Sequence, residues 1–198
     1  MSRKLAQYRG FVIILFLGAA LLLSLSAPGP CRSGQIKTTQ KIIVIDPGHG
    51  GADAGLASPT GAREKDIALA LARKTASLLE TRYNTFLTRA EDKNLTAVTR
   101  AETANRLGAD FYLSIHLHHQ AKKPDQPFIY YYTRPGKEPV PPENREWDTV
   151  ALAHQAESRK AAATFETGWE SSGGNQRPFI TGAPVILLKG LSMPAILV

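Results

Sequence analysis

The sequence contains a single cysteine, Cys31, among its 198 residues. One cysteine cannot form a disulfide within the chain, so the fold must be stable through its hydrophobic core. The sequence also has no arginine-rich run and no basic patch interleaved with aromatic residues, which excludes the usual signature of a nucleic-acid-binding surface. No internal repeat is present. With 43% hydrophobic and 21% charged residues, the chain has the composition of a globular protein and a length that suits one domain.

The first 27 residues differ from the rest in composition. Three basic residues precede an unbroken apolar run at residues 11–23, and small residues then lead to Pro28. This order is typical of a secretory signal peptide, because the apolar run is shorter than the roughly 20 residues that a membrane-spanning helix needs. An uncleaved membrane anchor over residues 1–27 is the alternative. The sequence therefore predicts an exported protein of the periplasm or cell envelope.

Residues 28–40 are rich in small, polar and turn-forming types and are predicted to be a linker. Cys31 lies in this linker, which raises lipidation as an alternative, but Gly29 and Pro30 before it do not form the expected lipidation motif. Three of the 24 basic residues and none of the 17 acidic ones lie in the first 27 residues, so the remainder carries a charge of +4. This modest charge favours attraction to an anionic wall or membrane surface. The catalytic-size domain is predicted at residues 41–198.

From residue 41 onwards, short apolar runs alternate with segments in which apolar residues recur at helical spacing. Strands are predicted at residues 42–45, 85–88, 111–116, 128–132, 185–188 and 195–198. Helices are predicted at residues 64–80, 95–107 and 149–167. The first is expected to bury Ile67, Leu71, Leu78 and Leu79; Asn94 is expected to cap the second and Gly108 to end it; Gly168 is expected to end the third.

The proline-rich residues 136–144 are predicted to form an exposed loop, and the polar residues 170–174 a flexible one. The alternation of strands and helices predicts an α/β fold: a three-layer arrangement with a mostly parallel twisted sheet flanked by helices.

Two of the predicted strands lead into histidines, His49 after residues 42–45 and His116 after residues 111–115. Ligands in open α/β sheets bind beyond the carboxyl ends of the strands, so both imidazoles are expected to share one crevice. Glu64 begins the helix that follows His49 and brings a carboxylate back to the same edge. Two histidines and a glutamate form a three-ligand zinc site with a fourth position open for water. The alternative is a pair of loop histidines and a helix-capping glutamate.

Several further motifs surround these residues in a fixed order. They are IIVIDPGHGGADAG at 42–55, GAREKD at 61–66, FLTR at 86–89, LTAVTRAETANRLGADFYLSIH at 95–116 and, more weakly, LKGLSMPAILV at 188–198. Together they resemble the zinc-dependent N-acetylmuramoyl-L-alanine amidases of type 3, the family of bacterial cell-division amidases and sporulation wall lytic enzymes.

The resemblance implies hydrolysis of the amide bond between N-acetylmuramic acid and L-alanine, with peptidoglycan as the binding partner. It implies zinc as the cofactor, with His49, Glu64 and His116 as its ligands. It also allows for a regulatory protein partner.

The sequence departs from the family pattern in two places. After SIH the family has Ala-Asn, whereas this chain has Leu117, His118 and His119. His118 shares a strand face with His116 and is expected to line the pocket, with metal ligation as the alternative. The family's last strand is followed by a glutamate, the general base on the attacking water, whereas this sequence ends at Val198.

The catalytic residue is therefore not identified, and the domain is expected to be incomplete at its C-terminus. A general base contributes about 10²–10⁴-fold to the rate. The alternative function is accordingly a catalytically weak or inactive homologue that binds peptidoglycan.

Three arginines and two aspartates near these motifs each have a predicted role and an alternative one. Arg89, Arg100 and Arg106 are predicted to be surface or helix-pairing charges, with a contact between Arg89 and a peptide carboxylate in the pocket as the alternative. Asp46 and Asp53 are candidates to orient the histidines, and bracing of the loop is their alternative role.

Overall fold

The structure is a computed structural model that describes residues 40–118, 126–134 and 145–198. These residues form six strands: β1 Ile42–Pro47, β2 Asn84–Leu87, β3 Phe111–Ile115, β4 Phe128–Tyr132, β5 Phe179–Ala183 and β6 Ala195–Leu197. They form four α-helices: α1 Glu64–Leu79, α2 Ala97–Arg106, α3 Arg145–Val150 and α4 Gln155–Ser171. Two 3-10 helices span Ala151–His154 and Ile186–Leu188. The predicted signal peptide, Cys31, His119 and the loop predicted at 136–144 lie outside the described residues.

The strands form one sheet in the order β2-β1-β3-β6-β4-β5. Neighbouring strands run parallel, except that β4 and β6 pair in the antiparallel direction. The predicted α/β fold with a mostly parallel sheet is confirmed. Because β1 and β3 are adjacent and parallel, their carboxyl ends lie side by side at one edge of the sheet.

Helices cover both faces of the sheet, because successive residues of a strand point in opposite directions. Val44 of β1 packs against α2 on one face, and Ile45 packs against Ala72 of α1 on the other. Helix α4 lies on the same face as α1, where its Ala162 packs against Ile196 of β6. Within the described part of the chain, no helix combines the length and apolar content that crossing a membrane requires.

The buried face of α1 differs from the predicted one. Ile67, Leu71 and Leu78 are exposed, with 67% of Leu78 accessible to solvent. The helix instead buries Ala68 and Ala72. Small alanine side chains allow the helix to approach the sheet closely, so the larger apolar residues beside them are turned away from the core.

The region between β4 and β6 was predicted less well than the rest. The strand predicted at residues 185–188 is wrong, because Ile186–Leu188 forms a 3-10 helix. Strand β5 was not predicted; it lies at the edge of the sheet and, among the described strands, pairs with β4 alone. A short apolar run has no periodicity that separates a strand from a turn of helix, which explains the first error.

Helix α4 also differs from its prediction at both ends. Residues 149–154 belong to the two short helices before it, and the helix continues through Gly168 to Ser171. The chain leaves the helix at Gly173, which has a positive φ of 83°. The prediction that Gly168 ends the helix is therefore wrong, and the flexible loop predicted at 170–174 begins only after Ser171.

Helix α2 begins with a cap that the sequence placed two residues too early. The Thr96 side chain accepts a hydrogen bond from Thr99 N at 3.1 Å, so Thr96, and not Asn94, is the N-cap. At the other end Gly108 follows the helix with a φ of 62°, which confirms its predicted role.

We expect Thr96→Ala to lower the free energy of unfolding by about 1 kcal/mol, because Thr99 N loses its acceptor. Asn94→Ala is the matched control and should change stability much less. Urea unfolding followed by circular dichroism measures both. An equal loss in the two variants would show that the cap contributes nothing.

Candidate metal centre

Three side chains from separate elements converge at the carboxyl edge of β1 and β3. His49 lies in the loop after β1, Glu64 is the first residue of α1, and His116 follows β3 directly. His49 Nε2 lies 2.9 Å from Glu64 Oε1, and His116 Nδ1 lies 3.0 Å from the same oxygen. The two imidazole nitrogens are 3.2 Å apart. The structure thus brings together the three residues that the sequence selected as metal ligands.

The arrangement of these donor atoms fits a zinc ion. Zinc takes imidazole nitrogen and carboxylate oxygen at about 2.0–2.2 Å, which in a tetrahedral site separates the donor atoms by roughly 3.3–3.5 Å. The observed separations of 2.9–3.2 Å are slightly shorter, so a small outward movement accommodates the ion. The three side chains provide one ligand atom each, the number with which catalytic zinc sites keep a fourth position for water.

Asp53 fixes the orientation of His49. Its Oδ2 lies 2.8 Å from His49 Nδ1, and its Oδ1 accepts a hydrogen bond from Gly55 N. The hydrogen bond with His49, followed by that from Gly55, holds the pKa of Asp53 below its usual value. A carboxylate there favours the tautomer of His49 with a proton on Nδ1, which leaves the Nε2 lone pair directed toward Glu64 and His116. Asp53 therefore orients a histidine, whereas Asp46 contacts neither imidazole.

Glu64 is only 2% exposed and is held by two backbone amides. Leu56 N donates to Oε2 at 2.9 Å, and Leu117 N donates to Oε1 at 2.8 Å. Burial acts to raise the pKa of Glu64, but these hydrogen bonds and the two histidines outweigh it and lower the pKa. The carboxylate is thus charged at neutral pH. Both carboxylate oxygens of Glu64 accept hydrogen bonds from residues outside α1, so the alternative of a helix-capping glutamate is not supported.

The imidazole of His116 is held by packing on the side away from the cluster. Its Nε2 is buried and has no hydrogen-bond partner among the described residues. Burial, and then the charge of His49, lower the pKa of His116, which favours the neutral form that binds metals. Gly48 makes room for this ring: a Cβ at Gly48 would lie 2.4 Å from His116 Cε1.

Two cavities adjoin the centre and meet at His118. One, of about 400 Å³, is lined by His116, Phe128 and Tyr130 among others, and the second, of about 480 Å³, by Glu64 and residues 56–59 among others. His118 is exposed, contributes to both cavities and packs on Phe128 with ring centroids 4.5 Å apart. It is not one of the three converging ligands. Its placement favours the pocket-lining role over metal ligation.

The predicted surface position of Arg89 is wrong, whereas its alternative contact with a peptide carboxylate stays a prediction. Its side chain is 3% exposed and donates to four backbone carbonyls: Pro47 O at 3.0 Å, Gly48 O at 2.6 Å, Lys65 O at 2.9 Å and Glu91 O at 3.2 Å. The guanidinium is therefore engaged in hydrogen bonds inside the protein.

The same prediction fails for Arg100 and holds for Arg106. Arg100 is 3% exposed and forms an ion pair with the buried Asp46 at 2.6 Å, whereas Arg106 is exposed. Arg100 also donates to His49 O at 2.8 Å.

Comparison with known proteins identifies the family. The model of the N-acetylmuramoyl-L-alanine amidase family matches residues 43–198. The chain belongs to this family. The match runs from the second residue of β1 through β6 and includes all three residues of the candidate metal centre.

Relatives with known names agree with this assignment. The amidase AmiC of Neisseria meningitidis is 41% identical over 90 residues, which cover 45% of this chain and 21% of that protein. The chain thus matches about a fifth of the length of this relative. Among solved structures, an N-acetylmuramoyl-L-alanine amidase of Clostridium difficile 630 superposes with a TM-score of 0.61 at 27% identity, over 79% of this chain and 77% of the other. AmiC2 of Nostoc punctiforme gives 0.58 at 28% identity, over 80% and 77%.

Proposed function

We propose that this protein hydrolyses the amide bond between N-acetylmuramic acid and L-alanine in peptidoglycan, with zinc held by His49, Glu64 and His116. The observation that carries the proposal is the convergence of three donor atoms within 3.2 Å at the sheet edge of an amidase-family chain. His49, Glu64 and His116 would hold the zinc ion, which would supply an activated water and polarise the scissile carbonyl.

The surrounding residues prepare the site for this ion. Asp53 keeps the Nε2 lone pair of His49 available, and burial keeps His116 neutral. The amides of Leu56 and Leu117 keep Glu64 ionised. A neutral imidazole pair with one carboxylate leaves a net positive charge on the loaded site, which favours the electron-rich carbonyl of the substrate.

The two cavities beside the centre suit a substrate that extends in two directions. They meet at His118, next to the metal ligands. The muramoyl amide joins a sugar to a peptide, so its two halves can occupy the two cavities while the amide lies over the metal. His118 is then placed to contact the substrate at the junction.

The general base is proposed to act from the carboxyl end of β6. Val198 O accepts a hydrogen bond from His116 N at 2.8 Å, so this strand end lies beside a metal ligand. A carboxylate directly after Val198 would therefore lie close to the proposed metal ligands. This is the position at which the family resemblance places the catalytic glutamate.

Product analysis with purified peptidoglycan tests the function. We compare this chain extended after Val198 by one glutamate with the chain extended by one glutamine, which has the same shape without the charge. The glutamate form should release stem peptides with a free L-alanine amine about 10²–10⁴ times faster. A chelator should stop the release and added zinc should restore it.

Mass spectrometry of the products separates this function from others. Cleavage between amino acids of the stem peptide would indicate a wall peptidase and overturn the proposal. Equal rates for the two extended forms would overturn only the assignment of the general base.

The alternative of an inactive wall-binding homologue is not favoured, because the named relatives are amidases. Export to the periplasm or cell envelope is part of the same proposal, since peptidoglycan is found there, and it rests on the signal-like residues 1–27. A regulatory protein partner stays a prediction of the resemblance.

A further inference from the structure

Arg89 occupies the space between the two elements that carry His49 and Glu64. On one side its guanidinium donates to Pro47 O and Gly48 O, the two residues that precede His49. On the other side it donates to Lys65 O, the residue that follows Glu64. A single rigid group thus connects the loop of one metal ligand to the helix start of another.

The environment of Arg89 is unfavourable for a residue with only a structural role. The side chain is buried, and no carboxylate in the described part of the chain forms an ion pair with it. Burial, and then repulsion from Arg100, lower its pKa. A buried charge without an ion-pair partner is costly. An apolar side chain could fill the same volume more cheaply, but it could not attach three carbonyls of two different elements.

We propose that Arg89 is a positioning residue that sets the distance between His49 and Glu64, and through it the geometry and affinity of the metal site. This inference rests on the proposed zinc site and adds to it a residue that is not a ligand of the metal. The planar guanidinium presents its donors in a fixed fork, so it holds the carbonyls of residues 47, 48 and 65 at one spacing.

Neighbouring contacts indicate that the loop stays folded without Arg89. Lys65 Nζ donates to Gly51 O at 2.6 Å, which attaches α1 to the loop beyond His49. Arg100 donates to Pro47 O and His49 O from α2 and does not contact α1. Arg89 therefore connects the residues just before His49 to the residue just after Glu64. Its loss should displace His49 relative to Glu64 while the other contacts keep the loop folded.

The test uses the full chain with Arg89→Met and Arg89→Lys. We measure the zinc dissociation constant by competition with a chromophoric chelator, and the visible absorption of the cobalt(II)-loaded protein, which reports the geometry of the ligands. Arg89→Met should bind zinc about 10–100 times more weakly, as is typical when a partner outside the ligand set is removed. Its cobalt bands should shift or lose intensity.

Arg89→Lys retains a buried cation and should recover only part of the affinity, because one ammonium cannot span both elements. If Arg89→Met does not fold, the zinc affinity and cobalt spectrum of Arg89→Lys are used to test the inference. Ile129→Ala, in a core cluster formed by β4, β6 and α4, is the control for general destabilisation and should leave zinc affinity and cobalt bands unchanged.

The outcomes separate the inference from the function on which it rests. Wild-type affinity and wild-type cobalt bands in both Arg89 variants would overturn the positioning role and leave the zinc site intact. The same loss of affinity in Ile129→Ala would also overturn it, because the effect would then reflect stability alone. A wild-type chain that binds neither metal would overturn the zinc site and this inference together.

Discussion

His49→Ala is expected to lose stoichiometric zinc, whereas His118→Ala is expected to retain it. Removing His49 leaves only Glu64 and His116, and two protein ligands do not form the three-ligand set of a catalytic zinc site. The affinity should fall by more than the roughly 10–100-fold typical of a partner outside the ligand set. Metal analysis after gel filtration in zinc-containing buffer measures the content of both variants.

His118→Ala is the matched control because it removes a second imidazole at the same sheet edge. His118 lines both cavities but lies outside the converging group. Zinc retained by His49→Ala would contradict the ligand assignment. Zinc lost by His118→Ala would instead support the alternative in which His118 is a ligand.

Asp46→Ala is expected to cause the largest loss of stability among single substitutions near the site. Asp46 is completely buried and accepts hydrogen bonds from Arg100 at 2.6 Å, from Ser114 at 2.9 Å and from Thr88. Its removal leaves the guanidinium of Arg100 buried without a counter-charge. Breaking a buried pair in this way lowers the free energy of unfolding by about 3–5 kcal/mol.

Denaturant unfolding of the metal-free protein measures this loss, and a double-mutant cycle assigns it to the pair. Asp46→Ala combined with Arg100→Met should lose less stability than the sum of the two single variants, because the uncompensated charge is then absent. Asp66→Ala breaks the exposed pair between Arg63 and Asp66 and should change stability far less. Strict additivity of the two buried substitutions would show that Asp46 and Arg100 are not coupled.

The placement of the candidate metal centre could be predicted from the sequence because it depends on backbone topology. The β-branched run at residues 42–45 and the apolar run at 111–115 indicate parallel strands, and their carboxyl ends must lie at one edge. His116 follows β3 directly and His49 follows β1 after one intervening residue, so the topology alone brings them close. Glu64 lies at the same edge because it is the first residue of α1, which begins there.

The interior arginines could not be predicted in the same way, because the sequence gives the charge of a side chain and not its direction. Arg89 directly follows Thr88 at the end of β2, where a side chain can turn toward solvent or across the loop after β1. Only the structure shows that the carbonyls of Pro47 and Gly48 point inward and need donors. The usual preference of arginine for the surface led to the wrong assignment.

The N-cap of α2 is a second feature that the sequence alone could not place. Asn94 and Thr96 are both good capping residues, two positions apart, and their side chains satisfy the same rule. The choice between them depends on the loop before the helix, where the Asn94 backbone packs against Gly51. Contacts with a distant segment therefore decided a local boundary.

The close approach of Gly48 to His116 affects how mutational surveys of this protein should be read. In an alanine scan nearly every substitution deletes atoms, and a loss of activity is taken to mean that the deleted group had a function. At position 48 the substitution adds a methyl group where the imidazole already lies. A loss of activity in Gly48→Ala would therefore report the displacement of the His116 ring. In an activity assay this displacement would give the same result as the removal of a catalytic side chain.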